Sequence, residues 1–331
     1  MSASPAALHP AETQAALAAA LREAHGPGAR LVAWTGDPLT QHGRRRVVRY
    51  DVEACVADVP RVHRYQWVGK FYDRDEDARR VAAVLRELAV TACGGGAGLV
   101  VPSVIAYDAP CRVLLLTYES GKSVTSAITR EGSVVLAGVG RALAVLHAAP
   151  IRLDAMTSPA VVLDHLRPKL AELCARFPGE AARLRDEGLE LDRAVPPAPP
   201  APAFLHGDLG TAQLLWNAGA IIVLDFDDCT RGDPALDLGN LLTQLRRLTL
   251  RKPGKLPDLA SLKGGILDAY QRYAPHDPGL AERVAWYERV ALLEKIHSLT
   301  FDRARRPEAE AIRRRQVEAI RLLGVRDGHA T

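Results

Sequence analysis

Hydrophobic and polar residues alternate in the first third of the chain, and this pattern predicts a sheet. Four segments combine the alternation with the β-branched and aromatic residues typical of strands: 46–54, 64–72, 103–107 and 112–118. A helix is predicted between the second and third strands, at 75–90, because its apolar residues recur every three or four positions. An Ala-rich segment at 11–24 predicts another helix, which Gly26-Pro27-Gly28 would end.

The apolar spacing becomes helical after Gly121. Helices are predicted at 132–148, at 160–177 and through most of the chain from 236 onward. Two short strands interrupt this part, at 212–216 and 220–226. The sequence therefore predicts an α+β protein with two parts, a β-rich N-terminal lobe (residues 1–118) and a mostly helical C-terminal lobe (residues 119–331).

Composition excludes several classes of protein. The 331 residues include 43 Lys or Arg and 39 Asp or Glu, and this balance argues against a nucleic-acid-binding protein. Five cysteines, none closer than 18 residues to the next, indicate reduced thiols and a cytoplasmic protein. The charge-free stretch 88–107 is as long as a membrane span, but its glycines and proline predict a loop, so no membrane association is expected.

Two acidic residues fall at the boundaries of the short strands. Asp208 lies in a Gly-flanked loop just before the first strand, and Asp225 ends the second strand after four apolar residues. Acids at adjoining strand ends are able to face the same small volume. One carboxylate then accepts a proton while the other holds a hard cation.

The segment 204–237 also carries an ordered series of motifs: His206-Gly207-Asp208-Leu209, Gln213, Asp225-Phe226-Asp227 and Gly232-Asp233-Pro234. This series resembles the catalytic segment of the aminoglycoside phosphotransferase and choline kinase-like superfamily, whose members are related to the protein kinases. The resemblance covers about residues 65–325 and implies a bilobal, protein-kinase-like fold.

The resemblance implies a role for each matching residue. Asp208 would orient or deprotonate the acceptor hydroxyl, and Asp225 would bind the Mg²⁺ that bridges the phosphates of ATP. Lys70, in Val68-Gly69-Lys70, would neutralise the charge of the α- and β-phosphates. The hinge that pairs with adenine would be the backbone near Thr117 and Glu119.

Three further positions follow the family pattern less closely. Gln213 stands where the family has a metal-binding Asn, and Asp227 is either a second metal contact or a local cap. The acid that pairs with Lys70 is either Glu87, which has the usual separation from the lysine, or Asp77. No Gly-x-Gly-x-x-Gly precedes Lys70, and the candidate phosphate-covering turn, Thr35 to Gly43, contains two glycines.

The implied function is an Mg²⁺- and ATP-dependent kinase that transfers the γ-phosphoryl group to a hydroxyl of a small molecule or peptide. Residues 241–331 contain 18 Lys or Arg and 11 Asp or Glu, which favours a neutral or anionic acceptor over a polycationic aminoglycoside. The alternative, indicated by Gln213 and the missing glycine-rich loop, is a pseudokinase that binds nucleotide or a protein partner without catalysis.

Overall fold

The computed structural model describes residues 9–42, 45–56, 61–94, 96–301, 318–319 and 321–322. The elements before residue 122 are α1 (Pro10–His25), β1 (Arg30–His42), β2 (Arg45–Cys55), β3 (Val62–Phe71), α2 (Asp75–Ala89), β4 (Leu99–Val100), β5 (Val104–Asp108) and β6 (Val113–Thr117). The later elements are β7 (Lys122–Ser123), α3 (Val124–Glu131), α4 (Ser133–His147), β8 (Met156–Thr157), α5 (Pro159–Arg176), α6 (Ala181–Arg193), β9 (Ala203–Leu205), β10 (Leu214–Asn217), β11 (Ala220–Val223), β12 (Thr230–Gly232), α7 (Ala235–Arg251), α8 (Leu259–Tyr273) and α9 (Leu280–Phe301).

The chain forms two compact units, each assembled from more than one stretch of sequence. The first comprises Met1–Gly95, Val100–Gly121 and Ile222–Asp227, and the second comprises Gly96–Leu99, Lys122–Ile221 and Asp228–Thr331. The predicted single boundary between residues 118 and 119 therefore leaves out the segment Ile222–Asp227, which the structure assigns to the first unit. This segment matters because it carries two of the predicted site residues.

The first unit is a five-stranded antiparallel sheet with the strand order β1-β2-β3-β6-β5. Side chains alternate across the sheet, so Tyr50 and Val52 of β2 share one face with Trp67 and Phe71 of β3. The buried face of α1 packs with these residues in one hydrophobic core. β3 lies in the middle of the sheet, where hydrogen bonds on both sides fix its backbone.

The strand β1 corrects the prediction of a turn from Thr35 to Gly43. The structure continues β1 through Thr35 to His42, while Gly43 lies outside the described residues. Pro38 is tolerated there because β1 is an edge strand, and the pairing with β2 shifts register between Pro38 and Thr40.

The second unit is mostly helical, with α4 packed on α8 and α7 packed on α9. A Cβ on Gly140 of α4 would lie 2.3 Å from the backbone oxygen of Ile266, so this glycine lets α4 and α8 approach closely. A small sheet with the order β8-β12-β9 adjoins the helices in this unit. None of the helices in the described part of the chain is long and apolar enough to cross a membrane.

Candidate active site

Lys70 lies near the end of the central strand β3, on the face opposite to Trp67 and Phe71. The residue is only 8% exposed. Its backbone pairs with Val47 on one side and Leu114 on the other, so the position of its Cα is fixed by two neighbouring strands. A buried ammonium group requires carboxylate partners, because desolvation of an unpaired charge is very unfavourable.

The partners of Lys70 are Asp225 and Asp227, both in the segment that the first unit takes from the later sequence. Its Nζ lies 2.5 Å from Asp225 Oδ1 and 2.7 Å from Asp227 Oδ1. The Tyr72 hydroxyl donates a second hydrogen bond to Asp227 Oδ1, at 2.9 Å. The structure thus brings together three of the residues predicted from the sequence and adds Tyr72, two positions after Lys70.

The backbone turn at Asp225 explains how two residues so close in sequence reach the same ammonium. Asp225 has a φ of +71°, in the left-handed region that non-glycine residues rarely adopt. A short 3₁₀ turn, Phe226–Asp228, follows directly, and the side chain of Phe226 is buried. Such strained residues persist where the surrounding structure holds them, and they concentrate at functional sites.

The helix α2 does not supply the partner of Lys70. Glu87 lies on its exposed face and Asp77 is half-buried, and in the described part of the chain the ion pairs of Lys70 are those with Asp225 and Asp227. The predicted Lys70–Glu87 pair is therefore not formed in this structure. The physical reason is the helix phase, because α2 turns its apolar positions, such as Val81 and Leu85, inward and leaves Glu87 outside.

The predicted hinge follows β6 in the first unit. Thr117 Oγ1 donates to Glu119 Oε1 at 2.6 Å, and the amide of Tyr118 donates to the backbone oxygen of Gln66 on β3, at 3.0 Å. The amide of Thr117 donates to the backbone oxygen of Ser103, at 2.9 Å. The hinge backbone is consequently tied to the same strand that carries Lys70.

Asp208 lies in the second unit, in an exposed position in the loop after β9. The amides of the two preceding residues, His206 and Gly207, donate to the carboxylate of Asp237 at 2.7 and 2.9 Å. Asp237 belongs to the first turn of α7 and is fully buried. The loop that presents Asp208 is therefore held by a buried carboxylate.

A buried histidine completes the support of this loop. His147, at the end of α4, places Nε2 3.2 Å from Asp237 Oδ2 and Nδ1 3.0 Å from the hydroxyl of Tyr270. Burial raises the pKa of Tyr270, so its hydroxyl stays protonated. Neither residue was predicted in this role from the sequence, in which the position of His147 at the end of a predicted helix was the available signal.

The pKa of Asp237 is set by opposing effects. Burial favours the neutral acid and raises the pKa of Asp237. The hydrogen bond from His147, the electrostatic effects of His147 and His206, and the hydrogen bond from the His206 amide act in the opposite direction. Together they hold the pKa of the Asp237 carboxyl below the ordinary value of 3.8. A carboxyl whose folded pKa is lowered stabilises the protein fully above that ordinary value. This stability is lost as the pH falls through the folded pKa.

Replacing Asp237 by asparagine should therefore remove roughly 1.5 kcal/mol of stability at neutral pH, because the charge-assisted hydrogen bonds are weakened. The free energy of unfolding of the variant should also fall less steeply than that of the wild type below about pH 4. Denaturant titrations at pH 7, 4 and 3 measure both effects. Equal pH profiles for the two proteins would contradict the assigned role of the carboxylate.

Gln213 lies in the same loop system as Asp208. The backbone N–H of Gln213 donates to the backbone oxygen of Gly210 at 3.2 Å. The side-chain Oε1 of Gln213 would lie 3.1 Å from a Cβ placed on Gly210. The side chain is therefore folded over the loop that follows Asp208, where its amide oxygen is the kind of donor that Mg²⁺ accepts.

The donor set fits Mg²⁺ better than a transition metal. The described residues contain no cluster of three or more His, Cys, Asp or Glu that could hold a metal by themselves. Mg²⁺ differs from most metals in this respect, because it is usually held by one or two carboxylates together with waters and the phosphates of a substrate. Asp225, with a side chain that is 35% exposed, is a suitable carboxylate.

The chain combines a β-rich unit that contains a buried lysine–aspartate pair with a helical unit that presents an Asp in a His-Gly-Asp loop. This combination defines a kinase-like phosphotransferase fold. Comparison with known proteins agrees with this class. The model of the Phosphotransferase enzyme family matches residues 56–283, more than half of the chain, and the protein belongs to this family. It is therefore a phosphotransferase, and the predicted kinase-like α+β fold is confirmed.

Solved structures show the same fold at low sequence identity. The macrolide 2'-phosphotransferase MphH from Brachybacterium faecium is 21% identical, with a TM-score of 0.54 over 93% of this chain and 98% of that one. An aminoglycoside phosphotransferase, APH(4)-Ia, in complex with ADP and hygromycin B is 15% identical, with a TM-score of 0.58 over 96% and 100%.

A choline/ethanolamine kinase family protein from Mesorhizobium loti is 17% identical, with a TM-score of 0.56 over 88% of each chain. No curated protein is significantly similar to the chain in sequence. At these identities the structural similarity establishes the fold and leaves the acceptor to be determined.

Proposed function

We propose that the protein transfers the γ-phosphoryl group of ATP to a hydroxyl of a small molecule and requires Mg²⁺ to do so. The observation that carries the proposal is the contact of buried Lys70 with Asp225, at 2.5 Å, in a chain that belongs to the phosphotransferase family. Lys70 supplies a fixed positive charge for the phosphates of the nucleotide, and Asp225 supplies an oxygen ligand. Two solved structures of the structurally similar aminoglycoside phosphotransferase APH(4)-Ia hold ADP and AMP-PNP, which supports nucleotide binding.

The remaining roles are assigned to residues of the same motif series. Asp208 accepts the proton of the acceptor hydroxyl or orients it, and the hinge backbone at Thr117 and Glu119 pairs with adenine. Asp225 and Gln213 would hold Mg²⁺, which would neutralise charge on the transferring phosphoryl group. Catalysis of this kind depends mainly on positioning and electrostatics, so it needs few reactive side chains.

The acceptor is proposed from charge and from structural similarity. The similar proteins are a macrolide 2'-phosphotransferase, an aminoglycoside phosphotransferase in complex with hygromycin B and a choline/ethanolamine kinase family protein, so hygromycin B, macrolides and choline form one set of acceptors to test beside neutral and anionic hydroxyl compounds. The positive charge of residues 241–331 favours a neutral or anionic hydroxyl compound. Much of that charge, including Arg303, Arg305, Arg306 and Arg313 to Arg315, lies outside the described residues.

The cytoplasm is the proposed location of this activity. All five cysteines are free thiols, as is usual in a reducing compartment.

Thermal unfolding with and without nucleotide tests the proposal before an acceptor is known. ATP at about 100 times its Kd should stabilise the wild type by about 2.7 kcal/mol, in a manner that requires Mg²⁺. Asp225→Asn should lose this Mg²⁺-dependent shift, whereas Asp73→Asn, at an exposed position of the same unit, should keep it. If millimolar ATP with Mg²⁺ leaves the wild-type Tm unchanged, the proposed dependence on ATP and Mg²⁺ is contradicted. The family match does not support the pseudokinase alternative.

A further inference from the structure

The two carboxylates that hold Lys70 differ in how accessible they are. The side chain of Asp225 is 35% exposed, whereas those of Asp227 and Lys70 are each 10% exposed. Asp225 is therefore able to exchange Lys70 for a ligand from solution with little rearrangement. Asp227 is buried together with the ammonium group of Lys70, which indicates that this ion pair persists when a ligand binds.

Asp227 is fixed in place from two other parts of the first unit. The Tyr72 hydroxyl, just beyond the end of β3, donates to Asp227 Oδ1 at 2.9 Å. Arg80 of α2 donates from Nη2 to the backbone oxygen of Asp227 at 2.5 Å. The carboxylate of Asp227 is therefore oriented by β3, and its backbone is tied to α2.

We propose that Asp227 is the positioning residue of Lys70 and takes the part that the family resemblance gives to an acid on the helix, here Glu87. The inference rests on the proposed function, because Lys70 needs to be positioned only if it receives nucleotide phosphates. Arg80 then provides the link between α2 and the lysine, through the backbone oxygen of Asp227 instead of through an ion pair with Glu87.

Electrostatics gives this arrangement a clear advantage. When Asp225 turns to a bound cation, Lys70 would be left as a buried charge without a carboxylate if Asp227 were absent. Asp227 keeps the ammonium paired and pointed in one direction in both situations. This division gives Asp227 a role different from both sequence-based alternatives, a second metal contact and a local cap, because its carboxylate pairs with Lys70.

The first test measures Lys70 directly and needs no activity. Nucleotide-free protein is treated with trace acetic anhydride, and the acylation rate of Lys70 is measured by mass spectrometry relative to exposed Lys252. In Asp227→Asn the rate should rise about tenfold, since a charge-assisted hydrogen bond is worth about that factor. In Glu87→Gln, the matched carboxylate-to-amide control, the rate should not change.

A second variant guards against misfolding of Asp227→Asn. Tyr72→Phe retains the ring and the Asp227 carboxylate and removes only the hydroxyl, so it should raise the Lys70 rate about threefold. An unchanged rate in both Asp227→Asn and Tyr72→Phe would overturn the inference. A rise in Glu87→Gln would overturn it as well, because that result would identify Glu87 as the partner.

Kinetics separates positioning from a general loss of folded protein. Asp227→Asn should raise the KM for ATP about tenfold and leave the KM for the acceptor unchanged, because only the phosphate contact of Lys70 is weakened. A variant with less folded enzyme would instead show a lower apparent kcat and an unchanged KM for ATP, and this result would contradict the inference. If the wild type shows no Mg²⁺-ATP thermal shift, the proposed function fails, and the acylation rates still decide which acid holds Lys70.

Discussion

Replacing Asp208 by asparagine is expected to lower kcat by about 10²- to 10⁴-fold, the range that a positioned general base contributes. Asparagine has nearly the same shape as aspartate but cannot accept the proton of the acceptor hydroxyl. The residue is exposed, and the loop is held by the amides of His206 and Gly207 on Asp237, which the substitution leaves in place. The Tm and the Mg²⁺-ATP shift should therefore stay at wild-type values.

The measurement is steady-state phosphorylation of whichever of hygromycin B, a macrolide or choline the wild type accepts, with Asp186→Asn as the control. Asp186 is an exposed acid on α6 in the same unit, and its substitution should leave kcat unchanged. Wild-type turnover in Asp208→Asn would exclude Asp208 as the base. An equal loss in both variants would point to a general effect of charge and not to a role in proton transfer.

The sequence predicted those parts of the fold whose apolar spacing is strong. The predicted helix at 75–90 corresponds to α2, Asp75–Ala89, and the one at 132–148 corresponds to α4, Ser133–His147. The helix α6 was not predicted, because only Ala181, Leu184 and Leu191 of its 13 residues are buried and the rest is strongly charged. A segment with so few apolar residues becomes helical through its packing on α5 and α9.

The strand β1 was missed for a different reason. Its central residues, Gly36-Asp37-Pro38, are those preferred in turns, so local propensity opposes an extended conformation. The long antiparallel pairing with β2 overrides this preference. Strand formation here depends on a tertiary contact, which a single sequence does not reveal.

For the candidate site, the motifs located the reactive groups but not their supports. Lys70 and Asp225 are 155 positions apart, and the family resemblance assigned both to nucleotide binding without predicting that they contact each other. The choice of Glu87 as the partner of Lys70 came from sequence separation. The number of residues between Lys70 and Glu87 does not determine whether Glu87 faces the lysine, because this depends on which face of α2 packs inward.

Support of the Asp208 loop likewise comes from distant residues. His147 contacts Asp237, and Tyr270, 123 positions further along the chain, holds the other ring nitrogen of His147. Their role is to satisfy a buried carboxylate, and such a requirement appears only when α4, α7 and α8 are packed together. Residues of this kind are conspicuous in a structure because buried polar groups need partners.

The glycine of the His-Gly-Asp loop provides the second large expected effect. Gly207 has a φ of +88°, and a Cβ at this position would lie 2.0 Å from the backbone oxygen of Asp228. Alanine must therefore adopt a left-handed conformation and also displace a backbone carbonyl in the same unit. We expect Gly207→Ala to lower the free energy of unfolding by roughly 3 kcal/mol, the strain of the conformation and the steric overlap together.

Activity should fall more than stability alone explains, because Asp208 follows Gly207 directly. A shift of about 1 Å in a catalytic group costs about 10²-fold in rate, so kcat of the folded Gly207→Ala enzyme should fall at least that far. Denaturant unfolding and kcat corrected for the folded fraction measure the two effects separately.

Gly264→Ala is the matched control for this substitution. Gly264 lies inside α8, in the same unit, and a Cβ there would meet no atom within 4 Å. Alanine should therefore stabilise the protein by about 0.4–1 kcal/mol without changing kcat. If Gly207→Ala behaved like Gly264→Ala, the close approach of Gly207 to the backbone of Asp228 would not be what holds Asp208 in place. The loop would then have to be positioned by the Asp237 hydrogen bonds alone.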